Sequence, residues 1–292
     1  MPPSTSIVLL DNGSLRPQAT LNLRRLAEAL SAACGVPVEA ASLLHSHKIP
    51  AEALGGEKAV TLGPLAERLA AEGATELVIL PLFFGPSQAL TRYLPERLAE
   101  VQARYPALAV KVARPLVDTL GGVDLRLAQL LADNVREAME GERRPTVVLV
   151  DHGSPIPEVA AVRNYLAGQL SALLAEEAEC VIFASMERRD GDEYRFNEPL
   201  LETLLAAPEL AGREVVLAML FLSPGRHAGE GGDIAEICTA AMAASPGLSV
   251  RPSRLVGEHD GLVALLAARL EEGQRGAPLL LALPARSPSP TD

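Results

Sequence analysis

The chain has 292 residues, of which 48% are hydrophobic, 22% charged and 3% aromatic. This composition predicts a globular protein with an aliphatic core, and the length allows one large domain or two ordinary ones. The formal net charge of −11 argues against a nucleic-acid-binding protein. No segment approaches the roughly 18 uninterrupted apolar residues that a membrane span needs.

The N-terminal residues and the cysteines predict a cytoplasmic protein. Residues 1–6 lack the basic start and apolar stretch of a signal peptide. Cys34, Cys180 and Cys238 are scattered without a CxxC motif, and we interpret them as buried thiols in a reducing compartment.

Strands and helices are predicted to alternate along the first half of the chain. Aliphatic runs predict strands at residues 7–10, 38–44, 77–84 and 109–113. Apolar residues at helical spacing predict helices at residues 21–33, 62–71, 94–105 and 125–139. This alternation implies parallel βαβ units with right-handed crossovers.

The same order begins again after a charged break at residues 141–145. Asp151-His152-Gly153-Ser154 matches Asp11-Asn12-Gly13-Ser14, with an offset of 140 residues, and Pro224 matches Pro86 with an offset of 138. A nearly constant offset indicates an internal duplication. We therefore predict an α/β protein with two similar parallel-sheet domains, 1–141 and 145–275, that face each other across a cleft. Residues 276–292 form a partly disordered tail, whose apolar part at 277–283 is a strand or docking segment.

Three candidate ligands follow successive strands of the second half: His152, Glu187 and His227. Because the C-terminal ends of parallel strands meet at one edge of a sheet, these side chains are expected to lie together. Two imidazoles and a carboxylate can bind a divalent first-row metal and leave coordination positions open. The glycines around His227 predict a loop that can approach a large flat ligand. The alternative is that these are ordinary solvated loop residues, with Glu187 part of a charged run.

These motifs carry a family resemblance. The turn at His152, Glu187 after the next strand, and Pro224-Gly225-Arg226-His227 with Asp233-Ile234 beyond resemble the sirohydrochlorin chelatase family of the CbiX and SirB type. The segment 254–259 resembles the end of the family's domain, and the resemblance covers residues 5–140 and 145–272.

The resemblance implies a chelatase fold with the tetrapyrrole between two domains. It implies an ATP-independent lyase that inserts Co²⁺ or Fe²⁺ into sirohydrochlorin for cobalamin or sirohaem, with the metal as substrate and no nucleotide. His152 and His227 would hold the metal and accept pyrrole protons, and Glu187 would assist. The substrate-binding candidates are Gly153, Ser154, Arg188, Arg189 and Arg226. No nucleic-acid or membrane partner is expected, and the protein is a monomer or homodimer.

The first half departs from the family pattern. Asn12 stands at the position of His152, Leu44 at that of Glu187, and Ala89 or Gln88 at that of His227. This half is expected to be a degenerate copy; His45 and His47 either supply ligands across the cleft or lie on a solvated turn. Two other functions remain open: a carrier of metal or tetrapyrrole that does not catalyse insertion, and a chelatase for a different tetrapyrrole.

Overall fold

The protein, described by a computed structural model at residues 4–119, 122–141, 143–274 and 281–283, divides into two compact units. Unit 1 comprises Met1–Gly121 and Val263–Asp292, and unit 2 comprises Gly122–Leu262. Each unit is built around one β-sheet whose first four strands are parallel, with helices in the connections. The prediction of two parallel-sheet α/β domains is confirmed.

The helices and strands follow one another in the predicted alternation. In chain order they are β1 (Thr5–Asp11), α1 (Pro17–Cys34), β2 (Val38–Ser42), α2 (Leu62–Ala71), β3 (Glu76–Pro81), α3 (Leu94–Arg104), β4 (Ala109–Val112), α4 (Arg126–Ala138), β5 (Thr146–Asp151), α5 (Pro157–Leu173), β6 (Cys180–Ser185), α6 (Leu201–Leu205), β7 (Glu214–Met219), α7 (Asp233–Ala244), β8 (Ser249–Pro252), α8 (Gly261–Gln274) and β9 (Leu281–Leu283).

The two sheets have the same strand order. Unit 1 contains β2-β1-β3-β4 and unit 2 contains β6-β5-β7-β8, all parallel. In unit 1, β9 adds antiparallel to β4, with Leu283 opposite Val110. The predicted tail thus contributes a short strand, and its residues 276–280 and 284–292 lie outside the described part of the chain.

The two central strands, β1 and β5, form the core of their sheets. Val8 to Leu10 and Val147 to Val150 have no exposed surface. Strands buried on both faces read as continuous aliphatic runs, which explains why these two are the clearest strands in the sequence. None of the described helices is long and apolar enough to cross a membrane.

The boundaries of the compact units differ from those of the sequence repeats. The last helix of each repeat belongs to the unit formed mainly by the other repeat. Helix α4 belongs to unit 2, where the buried Asn134 accepts a hydrogen bond from Arg254 Nε (2.7 Å). Most of α8 belongs to unit 1, where the buried Arg269 donates to the carbonyls of Pro115 (3.0 Å) and Leu116 (2.9 Å). Buried polar groups must be hydrogen-bonded, so these contacts hold each helix in its unit.

The cysteines are not all buried, which corrects the sequence interpretation. Cys238 is buried and Cys34 is half-buried, but Cys180 is exposed. Cys180 is the first residue of β6, which is an edge strand, so no neighbouring strand covers it on that side.

Asp11, at the end of β1, is an acidic residue in an unfavourable environment. Its Oδ1 is buried and has no hydrogen-bond partner among the described residues. Burial raises the pKa of Asp11 from 3.8 to about 6, although hydrogen bonds from Ser42 and from the N–H of Gly13 oppose the change. Ionised Asp11 therefore destabilises the folded protein at neutral pH.

We expect Asp11→Asn to stabilise the protein by about 1–2 kcal/mol at neutral pH, since one pKa unit corresponds to about 1.4 kcal/mol and the lost hydrogen bonds offset part of the gain. Between pH 3.8 and about 6 the folded chain binds more protons than the unfolded chain, so wild-type stability falls as the pH rises. The gain should therefore be present at about pH 7.5 and nearly absent at about pH 4. Urea unfolding midpoints of both proteins measure it, and an equal difference at the two pH values would contradict the explanation.

Candidate metal centre

The turn that carries His152 is pressed against the turn that carries Glu187. The N–H of Glu187 donates to the carbonyl of His152 (3.2 Å), and that of Met186 donates to the carbonyl of Asp151 (2.9 Å). Gly153, the residue after His152, has φ +90°, and a Cβ there would lie 2.0 Å from the carbonyl oxygen of Glu187. A glycine is therefore required for the close approach that brings the two turns together.

Unit 1 repeats this backbone without the functional side chains. The N–H of Leu44 donates to the carbonyl of Asn12 (3.0 Å), and Gly13 has φ +87° with its absent Cβ 1.7 Å from the carbonyl oxygen of Leu44. Asn12 is therefore the structural equivalent of His152, and Leu44 that of Glu187. The two units therefore share the backbone of this turn and differ in the side chains that it carries.

His152, Glu187 and His227 come together at the C-terminal edge of the unit 2 sheet, beyond β5, β6 and β7. Glu187 lies between the two imidazoles, with Oε1 3.1 Å from His152 Nε2 and Oε2 3.8 Å from His227 Nε2. The two rings are 4.6 Å apart at their centroids, and one potential ligand atom from each residue lies within 4.8 Å of the others. Within the part of the chain that the structure describes, no other group of three such side chains meets this spacing.

The cluster is open on one side and closed on the other. About half of the His152 and Glu187 side chains is exposed (56% and 54%), whereas that of His227 is 9% exposed. Burial lowers the pKa of His152, and Glu187 opposes this while His227 reinforces it. A neutral His152 has a free lone pair for a metal or a proton.

A second carboxylate fixes the orientation of His227. Asp233 Oδ2 lies 2.8 Å from His227 Nδ1. Because a carboxylate only accepts, a hydrogen bond here requires the proton on Nδ1, which leaves the lone pair of a neutral ring on Nε2, 3.8 Å from Glu187 Oε2. Asp233 is the first residue of α7, where the helix dipole favours a negative charge. The N–H of Ile234 donates to the carbonyl of His227 (3.1 Å), which ties the loop to the start of the helix. Asp233 is part of the family motif in the sequence, but its contact with His227 is visible only in the folded chain.

Two glycines of the His227 loop allow close packing of the loop's own backbone. A Cβ at Gly232 would lie 2.6 Å and 2.7 Å from the carbonyl oxygens of Arg226 and His227, and one at Gly229 would lie 2.6 Å from that of Gly225. At these two positions the loop is folded onto its own backbone, whereas a Cβ at Gly225 or Gly231 would meet nothing within 4 Å. The approach of a flat ligand to this loop stays a prediction.

The predicted substrate-binding residues have different surroundings. Arg188 is engaged by Glu198 (3.0 Å) and by the carbonyls of Arg189 and Gly191 (3.0 and 3.1 Å). Arg189 lies over the ring of Tyr194 at 5.9 Å. Arg226 pairs with Asp233 (3.1 Å), yet 75% of its side chain is exposed beside His227.

Gly153 and Ser154 stabilise the backbone of the turn. The N–H of Ser154 donates to Asn197 Oδ1 (2.9 Å), and its Oγ accepts from the N–H of Ile156 (3.1 Å) just before α5. In unit 1, His45 and His47 are exposed at the ends of the segment 45–47, and His45 has φ +61°. Neither joins a group of three metal-binding side chains among the described residues.

The sequence model of one protein family, CbiX, matches residues 6–138 and again residues 146–273. The chain belongs to the CbiX family. The resemblance read from the His152 turn and the His227 loop is thereby confirmed, and the two matched stretches correspond to the two sequence repeats.

CbiX-family similarity extends to named chelatases. A sirohydrochlorin ferrochelatase of Priestia megaterium is 29% identical over 117 residues, which are 39% of this chain and 42% of that enzyme. A sirohydrochlorin cobaltochelatase of Sulfurisphaera tokodaii is 28% identical over 79 residues, 27% of this chain and 58% of that enzyme. The chain thus aligns with about half the length of these two relatives.

A solved structure of SirB from Bacillus subtilis with Fe³⁺ has the same fold as this CbiX-family chain. The TM-score is 0.70 at 19% sequence identity, and the match covers 92% of this chain and 95% of SirB. At that identity the similarity concerns the fold alone.

Proposed function

We propose that this protein is a chelatase that inserts Co²⁺ or Fe²⁺ into sirohydrochlorin, without a nucleotide, at His152, Glu187 and His227. The observation that carries the proposal is the meeting of these three side chains at one sheet edge in a CbiX-family chain. Relatives of this chain are named for iron and for cobalt insertion. Imidazole and carboxylate ligands bind both metals, so the proposal includes both.

The cluster suits temporary binding of a metal substrate. Two imidazoles and one carboxylate supply three ligands and leave positions at which tetrapyrrole nitrogens can replace water. The exposed sides of His152 and Glu187 give the metal and the macrocycle access, while the buried His227 and its partner Asp233 hold the inner ligand still. A site with fewer protein ligands than a structural site can release the metal to the product.

The same residues can accept the protons that insertion displaces. When a dication enters the macrocycle, two N–H protons leave, and a nearby base lowers the barrier to that loss. The lowered pKa of His152 keeps its imidazole neutral near pH 7. His152, His227 and Glu187 therefore provide three acceptors for two protons.

Because the protein is acidic overall, binding of the sirohydrochlorin carboxylates would require positively charged side chains near the site. Arg226 projects beside His227, and Arg189 lies two residues beyond Glu187. Guanidinium groups bind carboxylates with two parallel hydrogen bonds. Arg188 is held by Glu198, so we assign it to the shape of the loop and not to the substrate.

Purified protein incubated with sirohydrochlorin and Co²⁺, or anaerobically with Fe²⁺, tests the proposal by loss of the absorbance of the metal-free macrocycle. The expected result is insertion well above the spontaneous rate, and Glu187→Gln lowers it with the fold unchanged. Glu193→Gln is the matched control, because Glu193 is exposed in the same loop but is not one of the three clustered side chains.

Two results would lead to the other candidate functions. Tight binding of sirohydrochlorin without insertion above the spontaneous rate indicates a carrier. Insertion into a protoporphyrin but not into sirohydrochlorin indicates a chelatase for a different tetrapyrrole.

A further inference from the structure

A fully buried arginine lies against the ends of the strands that precede His152 and Glu187. Arg163 in α5 has no exposed surface, and its guanidinium stacks over the ring of Phe183 at 4.5 Å. It donates to the carbonyls of Phe196 (2.9 Å) and Asn197 (3.2 Å), and also to the hydroxyl of Ser185. A charged side chain is rarely buried this completely unless it is paired and hydrogen-bonded, as this one is.

Arg163 connects the ends of the two strands that carry His152 and Glu187. Ser185, the last residue of β6, donates to Asp151 Oδ1 (2.5 Å), and Asp151 is the last residue of β5. The guanidinium of Arg163 lies 3.5 Å from the same Asp151 oxygen. The three side chains thus form one buried network, in which Asp151 lies one residue before His152 and Ser185 two residues before Glu187.

The same network reaches the turn after His152. Asn197, also fully buried, accepts from the N–H of Ser154 (2.9 Å) and donates to the carbonyl of Ser154 (2.9 Å). Arg163 binds the carbonyl of Asn197, so the turn and the loop beyond Glu187 share one anchor. A planar guanidinium with several donors is suited to hold groups on different segments at fixed spacing.

Unit 1 keeps the acid of this network but not the arginine. With the offset of 140 residues, Leu23 in α1 stands at the position of Arg163, and it is buried. Asp11, the equivalent of Asp151, has a buried Oδ1 without a partner among the described residues. Unit 1 also lacks the histidine and the glutamate, so the arginine accompanies the ligands and not the fold.

We propose that Arg163 is a positioning residue that sets the spacing of His152 and Glu187 for metal binding. The inference rests on the proposed function for its biological meaning, but its test uses Co²⁺ alone and does not depend on insertion. Residues behind metal ligands commonly change affinity or activity by about 10–100-fold when they are removed.

Arg163→Leu, which introduces the residue of unit 1, is expected to raise the dissociation constant for Co²⁺ at least about 10-fold. Visible absorption of bound Co²⁺ measures the affinity, and circular dichroism measures the fold. Arg269→Leu is the matched control, because Arg269 is the equally buried arginine of unit 1 and binds backbone carbonyls there. It should lower the unfolding temperature and leave the Co²⁺ affinity unchanged.

A second variant covers the case in which Arg163→Leu does not fold. The double substitution Arg163→Leu with Asp151→Asn removes the buried carboxylate that the first change leaves without its cation. It should restore folding but not Co²⁺ affinity. Wild-type affinity in either folded variant, or an equal loss of affinity in Arg269→Leu, would overturn the proposal. If the wild-type protein binds Co²⁺ and loses it on these changes but inserts no metal, the proposed function fails and the positioning role stands.

Discussion

His152→Asn is expected to lower the rate of metal insertion at least about 100-fold while the protein remains folded, since a positioned base contributes about 10²–10⁴-fold. The reason is that asparagine can neither accept a proton nor replace the imidazole as a ligand. The backbone should tolerate the change, because Asn12 already occupies the equivalent turn in unit 1 with the same hydrogen bond to the following strand end. Steady-state rates with sirohydrochlorin and Co²⁺, together with the unfolding temperature, measure both parts.

Asn12→His is the reciprocal control for this prediction. The new imidazole would stand opposite Leu44, which cannot supply a carboxylate, so we expect no gain in insertion rate and no second bound Co²⁺. A residue that is both a ligand and a base should have a large effect on the rate. If the His152→Asn protein inserts metal at more than about one tenth of the wild-type rate, His152 has neither role.

Asp233→Asn is expected to lower kcat by about 10–100-fold. Asp233 Oδ2 lies 2.8 Å from His227 Nδ1, and a hydrogen bond donated from Nδ1–H to this carboxylate leaves the lone pair on Nε2, on the side of Glu187. An asparagine amide can present its NH₂ group to the ring, in which case the imidazole changes tautomer and loses its acceptor at Nε2. The loss of ring orientation should appear in kcat because it acts on a reacting group, whereas a change in KM would report on Arg226, which loses its charged partner Asp233.

The matched control for Asp233 is Glu236→Gln. Glu236 is exposed in the same first turn of α7 and also contributes negative charge at the helix start, but it has no contact with His227 among those described. Equal losses in the two variants would mean that the helix terminus, and not the orientation of His227, is responsible. A fall in kcat confined to Asp233→Asn supports the orientation of the ring.

The strands and the three ligands could be predicted from the sequence because both depend on local patterns. Val147 to Val150 form a continuous aliphatic run, which is typical of a strand buried on both faces. His152, Glu187 and His227 each follow such a run, and parallel strands end at a common edge, so their meeting follows from topology alone. The nearly constant offset between the halves also identified Asn12 and Leu44 as the replaced ligands.

The buried network around Arg163 could not be predicted from the sequence. An arginine in an amphipathic helix is normally read as a surface residue, and nothing near Arg163 in the sequence names its partners. Those partners, Ser185, Phe196 and Asn197, lie 22 to 34 residues away and meet the guanidinium only in the folded chain. The contact of Arg188 with Glu198 is another that only the folded loop displays.

The sequence by itself determined the α/β class, the duplication, and which half carries the candidate ligands, because residue periodicity and strand-end position are properties of short segments. Only the tertiary structure decided that α4 and α8 join the other repeat's unit, and that Asp233 and Arg163 stand behind the ligands. The hydrophobic patterns of α4 and α8 suit either aliphatic sheet equally well. Which sheet each helix packs against therefore depends on long-range contacts, such as Asn134 with Arg254 and Arg269 with Pro115. Buried hydrogen-bond partners are likewise set by three-dimensional proximity, which the order of residues along the chain does not display.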